Sequence, residues 1–257
     1  VEKSPMTAKA ITRRNKLNPD NELTDIRFCL SRTGYKGAVI EIFSDNVNLS
    51  LAEEIKKHLD ELLSHSNNED VDFYINTELR VLGDYSLPLS KEEYAKESER
   101  ITRIRLISDK IGRLPEGVMG GSIIILPKNK SKEKDAKDLL RCGFAMVNRV
   151  TQFINPEQEG DGEQNGEDTN IHKIKNTIYD LLRQFGYSKR PKTWSKVLQY
   201  PVFAIDAPTN LYSMSGKKVR ALPMMLKFNA EDRLITVESP VFNNGLAVPY
   251  YKACLEL

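Results

Sequence analysis

Apolar positions along the chain repeat with two different periods, and the two periods alternate from one segment to the next. Periods of two and short continuous apolar runs indicate strands, whereas repeats of three to four residues indicate amphipathic helices. The predicted strands of the first part are 26–30, 38–43, 71–75, 120–127 and 150–154. The predicted helices are 48–63, 90–111, a segment ending near 148, and 171–185.

The run Ile123-Ile124-Ile125 lies in the clearest of these strands, which is continuously apolar and rich in β-branched residues. Such a run is typical of a strand that is buried on both faces, as in a parallel sheet. Strands that alternate with helices favour an α/β architecture. We therefore predict a Rossmann-like α/β domain over residues 25–189, preceded by a polar, basic linker at 1–24.

The pattern changes after residue 189, where three strands and then a helix are predicted. Their ranges are 201–206, 219–228, 233–238 and 249–257. Strand, strand, strand, helix is how a ribonuclease H-like domain begins, although other α+β folds begin in the same way. We predict that residues 190–257 are the N-terminal part of such a domain. Residues 156–169 are rich in Gly, Glu, Asp and Asn, which predicts a mobile acidic loop inside the first domain. Because the chain begins at Val1 and ends on an apolar run, we expect it to be a fragment of a longer protein.

Composition narrows the possible functions without choosing one. The chain has 257 residues and a formal net charge of only +2, so a surface that binds nucleic acid must be local. Its three cysteines and three histidines show no spacing typical of zinc sites or disulfide frameworks. Neither a membrane span nor a signal peptide is predicted, which favours a cytoplasmic protein without a membrane partner.

The order of three segments carries a family resemblance. A strand ending in Leu126-Pro127 leads through a lysine-rich loop and a helix to the strand Thr151-Gln152, and an amphipathic helix ending at Gly186 follows. This order resembles the MID domain of prokaryotic Argonaute-like proteins. The amino-acid sequences of Leu140–Ala145 and Tyr179–Gly186 are similar to those of the pPIWI-RE branch. The resemblance covers residues 120–257 well and 1–119 only by position.

The resemblance implies a site for the 5′ phosphate of a guide strand. A terminal phosphate carries roughly two negative charges and requires cationic and amide donors from several segments. Gln152 takes the place of the family's phosphate-binding glutamine, whereas Asp180 and Gln184 stand where the closing helix normally has two lysines. Each candidate also has the simpler interpretation of a solvated surface residue. Lys137, or Lys134 and Arg141 nearby, takes the place of the family's lysine on the helix after the loop. Either Arg183, Lys173 or Lys175 supplies the charge that Asp180 and Gln184 lack, or the pocket binds a ligand other than a 5′ phosphate.

Asp206 ends the first predicted strand of the second part. In ribonuclease H-like nucleases the first strand carries an Asp that binds divalent metal ions, so the resemblance implies a catalytic, Mg²⁺-binding role for Asp206 in the parent protein. The alternative is that Asp206 opens an Asp-Ala-Pro-Thr-Asn turn. One carboxylate cannot bind two Mg²⁺ ions, so we expect no nucleic-acid cleavage by this chain alone.

The predicted function is binding of the 5′ end of a guide nucleic acid in an Argonaute-like defence protein. The guide, DNA or RNA, and its target are the implied partners, and the resemblance also implies helicase and nuclease partners. Two other classes remain open at this point. One is a metal-dependent ribonuclease H-like nuclease, and the other is a non-catalytic α/β interaction scaffold. Dinucleotide binding is disfavoured, because Gly120-Gly121 is not a GxGxxG motif after a strand.

Overall fold

The structure, a computed structural model, describes most of the first predicted domain and parts of the second. The described residues are 25–64, 72–126, 136–156, 166–187, 202–206, 224–229, 234–239 and 246–256. The predicted linker at 1–24 and most of the predicted acidic loop lie outside this part of the chain.

A parallel four-stranded sheet forms the centre of the first domain. Its strands are β1 (Gly37–Ser44), β2 (Tyr74–Val81), β3 (Val118–Ile125) and β4 (Arg149–Ile154). Their order across the sheet is β2-β1-β3-β4, and every pairing is parallel. β3 is buried along its whole length, as its continuous apolar run predicts. The predicted Rossmann-like α/β fold is confirmed.

Helices cover both faces of this sheet. They are α1 (Asp25–Ser31), α2 (Leu49–Ser64), α3 (Lys91–Ala95), α4 (Glu97–Ile111), α5 (Lys137–Ala145) and α6 (Gly166–Gln184). Helices α1, α2 and α6 pack on one face around a core that includes Ile40 and Ile123. Helices α4 and α5 pack on the other face around Phe43 and Ile124. Neighbouring residues of β3 thus enter different cores, because side chains alternate along a strand.

Three predictions of secondary structure need correction. Residues 26–30 are helical, because Ile26, Cys29 and Leu30 recur at helical spacing and all three are buried on the same core. The predicted helix over 90–111 is divided at Lys96, whose backbone is extended, although the predicted capping box between Ser90 and Glu93 is present. Helix α6 begins at Gly166, so the last residues of the predicted acidic loop are helical.

Gly120 and Gly121 allow two close approaches to β3. A Cβ on Gly120 would lie 2.6 Å from Cγ of Arg149 and 2.7 Å from the backbone oxygen of Asn148. A Cβ on Gly121 would lie 2.6 Å from the ring of Phe185, which follows α6. The two glycines therefore admit an arginine side chain on one face of the sheet and an aromatic ring on the other.

A buried ion pair crosses the sheet beside Gly120. Glu41 of β1 and Arg149 of β4 are 1% and 3% exposed, and Nε of Arg149 donates to the Glu41 carboxylate. The same guanidinium donates to the backbone oxygens of Gly112 and Val147. Arg80 of β2 donates to Glu41 from the other side at 3.1 Å. These hydrogen bonds satisfy both charges inside the core.

A second, antiparallel sheet follows in the chain. Its strands are β5 (Val202–Asp206), β6 (Met224–Asn229), β7 (Leu234–Glu238) and β8 (Val248–Pro249), in that order across the sheet, followed by α7 (Tyr250–Glu256). The described residues of all three predicted ranges include strands, and β8 was not predicted. Assignment of this sheet to a ribonuclease H-like domain stays a prediction.

Tyr251 of α7 joins the second part of the chain to the first sheet. Its hydroxyl accepts a hydrogen bond from the backbone N–H of Gly120 at 2.7 Å and donates one to the backbone oxygen of Asn148 at 2.6 Å. The ring makes edge-to-face contacts with Tyr35 and Phe185. These contacts lie where β3 and β4 begin, so α7 covers the amino-terminal edge of the sheet.

Candidate nucleic-acid interface

The carboxyl edge of the first sheet is where its four parallel strands end. Leu126 and Ile154, at the ends of β3 and β4, are joined by a backbone hydrogen bond of 3.0 Å. Helices α5 and α6 follow these two strands, so both begin on this side of the sheet. Ligands of open α/β sheets bind outside the carboxyl ends of the strands. A ligand site is therefore expected at this edge.

Lys137 and Arg141 come together over one aromatic ring. They are four residues apart in the first turns of α5, so they lie on the same side of that helix. The Lys137 ammonium is 5.9 Å from the centroid of the Phe153 ring, and the Arg141 guanidinium is 5.2 Å from it. The start of a helix also presents free backbone N–H groups and a positive dipole end. Two side-chain cations and the helix start thus add positive potential at one place.

Gln152 lies next to Phe153 but on the other face of the sheet. Its register partner on β3 is Ile123, which belongs to the core under α2 and α6. The register partner of Phe153 is Ile124, which belongs to the core under α4 and α5. Because side chains alternate along a strand, the Gln152 side chain and the cationic pair lie on opposite faces of the sheet. The sequence had suggested direct convergence of these groups, and the described contacts do not show it.

The candidate cations of α6 lie apart from one another. Lys173 and Lys175 are exposed near the middle of the helix, and two residues correspond to a rotation of roughly 200° around it. Arg183 lies in the last turn, roughly 26 Å along the axis from Gly166 at about 1.5 Å per residue. It pairs with Asp180 at 2.9 Å in an exposed contact. The structure thus does not gather these three cations with α5, and Lys134 lies outside the described residues.

Phe153 is the site residue that sequence reasoning missed. Two signals in the sequence point to it, the four-residue spacing of Lys137 and Arg141 and the adjacency of Phe153 to Gln152 on a strand. Neither signal shows that α5 packs on the face of β4 that carries Phe153. That information is in the tertiary packing of Leu139, Leu140 and Phe144 against the sheet.

Residues 76–193 match the family model described as the MID domain of pPIWI_RE. Over these residues the chain is similar to a pPIWI-RE MID domain, and the predicted resemblance to an Argonaute-like MID domain is confirmed there. The MID match begins within β2, whereas the central strand β1 precedes it, so the folded sheet extends beyond the matched range.

Comparison with solved structures gives a match to one described as the crystal structure of Aa-Ago with externally bound siRNA. The TM-score is 0.42 and the sequence identity is 15%, and the match covers 84% of this chain and 29% of that chain. The chain thus spans less than a third of the length of that Argonaute. Comparison with curated proteins gives no match.

Asp206, the predicted metal-binding residue downstream of the MID domain, is the last residue of β5 and is in register with Met224 of β6. Within the ranges that the structure describes, no three His, Cys, Asp or Glu side chains cluster as metal ligands. The described residues therefore do not supply a Mg²⁺ site, and the role of Asp206 stays a prediction. No described helix is both long and apolar enough to span a membrane.

Proposed function

We propose that the MID domain binds the 5′-phosphorylated end of a single-stranded guide at the carboxyl edge of its sheet. One observation carries the proposal. Lys137 and Arg141, in the first turns of α5, both lie over the ring of Phe153 of β4. A terminal phosphate has about −1.5 to −2 charge near neutral pH, more than a phosphodiester, so it gains most from such a site. The family match supports a nucleic acid as the ligand.

Phe153 gives the site an apolar surface beside its charges. Nucleobases stack on aromatic rings and on guanidinium planes, and each such contact contributes about 1–3 kcal/mol. Arg141 presents a guanidinium plane next to the ring of Phe153. The proposed site therefore combines a phosphate-binding part with a stacking part. Gln152 is not part of this proposed site, because its side chain lies on the opposite face of the sheet.

The test compares two strands that differ only at the 5′ end. We expect the chain to bind a 5′-phosphorylated strand about tenfold more tightly than its 5′-hydroxyl counterpart, a difference of about 1.4 kcal/mol. Replacing Lys137 and Arg141 together by Ala should abolish the preference, as measured by fluorescence anisotropy at matched salt. Lys57→Ala is the control, because it removes an exposed cation from α2 on the other face of the sheet.

Equal affinity for the two strands would contradict the proposal, because contacts to internal phosphates do not distinguish the ends.

The alternative nuclease function has its own test. Mg²⁺-dependent cleavage by this chain that Asp206→Ala abolishes would favour it. The proposal also includes a larger Argonaute-like parent that pairs a guide with its target, with helicase and nuclease partners and metal binding at Asp206.

A further inference from the structure

Strand β2 forms one edge of the first sheet. Among the described residues it pairs only with β1, in an unbroken register from Gly37 opposite Tyr74 to Ser44 opposite Val81. The strand has 8 residues and contains neither proline nor a bulge. Proteins usually protect an edge strand with such features, because an exposed row of N–H and C=O groups binds other strands. β2 has neither a proline nor a bulge to block pairing, and its exposed charges, Glu78 and Arg80, are of opposite sign.

The free backbone groups of β2 belong to its odd-numbered residues. The N–H of Leu82, the next residue after the strand, donates to the backbone oxygen of Ser44 at 2.8 Å, so Leu82 faces β1. Backbone groups of successive residues point to opposite sides of a strand. Thr77, Leu79 and Val81 therefore direct their N–H and C=O groups away from β1.

The side chains at this edge are partly apolar and carry both signs of charge. Leu79 and Val81 are 37% and 72% exposed, on the side of the strand where Thr77 contacts α2 through Asp60. Glu78 and Arg80 lie on the opposite side with side chains 52% and 41% exposed. A strand with this pattern is complementary to itself, because it offers a carboxylate and a guanidinium two residues apart.

We propose that this edge binds a second copy of the chain, through antiparallel pairing of the two β2 strands about a two-fold axis at Leu79. In this register Leu79 faces the partner's Leu79, Thr77 faces the partner's Val81, and these odd-numbered residues exchange hydrogen bonds. Glu78 then lies opposite the partner's Arg80, and the symmetry repeats this contact. The result is one continuous eight-stranded sheet from two copies of the four-stranded sheet.

Other registers fit the edge less well. An axis at Glu78 or at Arg80 places like charges directly opposite each other, which destabilises a strand pair. An axis at Thr77 places Glu78 opposite the partner's Asn76, so Glu78 of one copy forms no ion pair with the partner's Arg80. Some registers place an odd-numbered residue of one copy opposite an even-numbered residue of the other. In each such pair, one residue directs its N–H and C=O groups away from the partner strand. The charges and the backbone therefore select the same axis.

Cross-linking tests the axis directly. In an antiparallel hydrogen-bonded pair the Cα atoms are about 5.5 Å apart, within the range of about 4.4–6.8 Å that a disulfide spans. Leu79→Cys should therefore give a disulfide-linked dimer under mild oxidation. Asn76→Cys is the matched control on the same strand, because its two copies would lie about 20 Å apart at roughly 3.3 Å per residue. Equal cross-linking of the two variants would overturn the proposal.

Light scattering tests the charge complementarity independently. The wild-type chain should change with concentration from its monomer mass of 29.3 kDa to twice that value. Glu78→Arg should raise the dissociation constant of the dimer at least about tenfold, because it places two arginines opposite each other. Asn76→Arg should leave the dimer intact, and circular dichroism confirms that each variant folds. A wild-type chain that stays monomeric, or a dimer that Glu78→Arg does not weaken, would overturn the proposal.

Discussion

Glu41 and Arg149 place two full charges in the core of the first sheet. Burial of a charge is costly, and the cost is offset only when the charge is paired and its remaining hydrogen-bonding groups are satisfied. Arg149 meets this condition through Glu41, Gly112 and Val147, and its side chain passes over Gly120, which has no Cβ. Glu41 is also held by Arg80. Loss of Glu41 therefore leaves the buried charge of Arg149 without its partner, and loss of Arg149 leaves the buried Glu41 carboxylate with only the partly exposed Arg80.

We expect Arg149→Met to lower the free energy of unfolding by about 3–5 kcal/mol, the usual cost of leaving a buried charge without its partner. Arg80→Met is the matched control. It removes the second guanidinium that contacts Glu41, but Arg80 is 41% exposed, so its loss should cost about 1 kcal/mol or less. Urea denaturation at neutral pH measures both values. Equal losses for the two variants would show that the buried pair contributes no more than the exposed contact.

At the scale of single elements, the end of α6 shows how one residue stops a helix. Gly186 has a φ of 96°, a conformation that residues with a Cβ rarely adopt. Its N–H donates to the oxygen of Arg183 at 2.8 Å, and the N–H of Tyr187 donates to the oxygen of Leu182 at 3.0 Å. These two bonds form a Schellman motif. The turn directs the chain to β7, where Ile235 donates to the oxygen of Gly186.

Gly186→Ala should lower the free energy of unfolding by about 1–2 kcal/mol, because a Cβ is strained in this conformation. Gly186→Asn is the informative comparison, since asparagine tolerates left-handed backbone better than alanine does. We expect the Asn variant to lose less stability than the Ala variant in thermal or urea denaturation. The reverse order would mean that steric contact with Leu234, and not backbone strain, determines the cost.

At the scale of the whole molecule, the two sheets share one core. Tyr251 and Leu234 come from the second part of the chain, and both are buried in the core under α2 and α6. The hydroxyl of Tyr251 satisfies a backbone N–H on β3 and a backbone oxygen before β4. The amino-terminal edge of the first sheet is thereby occupied by α7, whereas its carboxyl edge carries the proposed guide site.

Tyr251→Phe should lower the free energy of unfolding by about 1–3 kcal/mol, because it keeps the ring but removes the partner of the buried Gly120 N–H and of the Asn148 backbone oxygen. Tyr250→Phe, at a half-buried neighbouring position, should cost less. Both values follow from urea denaturation. If Tyr250→Phe lowers the free energy of unfolding as much as Tyr251→Phe does, the two hydrogen bonds of Tyr251 do not contribute to stability.

The stability should also depend on pH through Tyr251. Burial raises the pKa of Tyr251 above its ordinary value of 10.0. Its contribution is therefore fully present below pH 10.0 and is lost as the pH rises toward the folded-state pKa, since the unfolded chain ionises first. The wild-type chain should lose stability above this pH more steeply than Tyr251→Phe does. Identical slopes for the two proteins would show that Tyr251 does not contribute.

The sequence by itself determined the succession of strands and helices and the class of the fold. The apolar run of β3 fixed a strand buried on both faces, and the order of Leu126, Thr151-Gln152 and Gly186 was sufficient to recognise the MID domain. Residues 26–30 were predicted incorrectly, because a short apolar run satisfies both the strand and the helix pattern. Periodicity within a segment arises from that segment's own contact with a core, so it can be read locally.

Tertiary structure alone decided which distant residues meet. Phe153 faces Lys137 and Arg141 while its neighbour Gln152 faces the other core, a choice that depends on which side of the sheet α5 covers. The contact of Arg149 with Glu41 depends on two strands that are separated in sequence but lie on either side of β3. A periodic pattern specifies that a residue is buried, but not its partner, because the partner comes from a different element whose position only the packed fold defines.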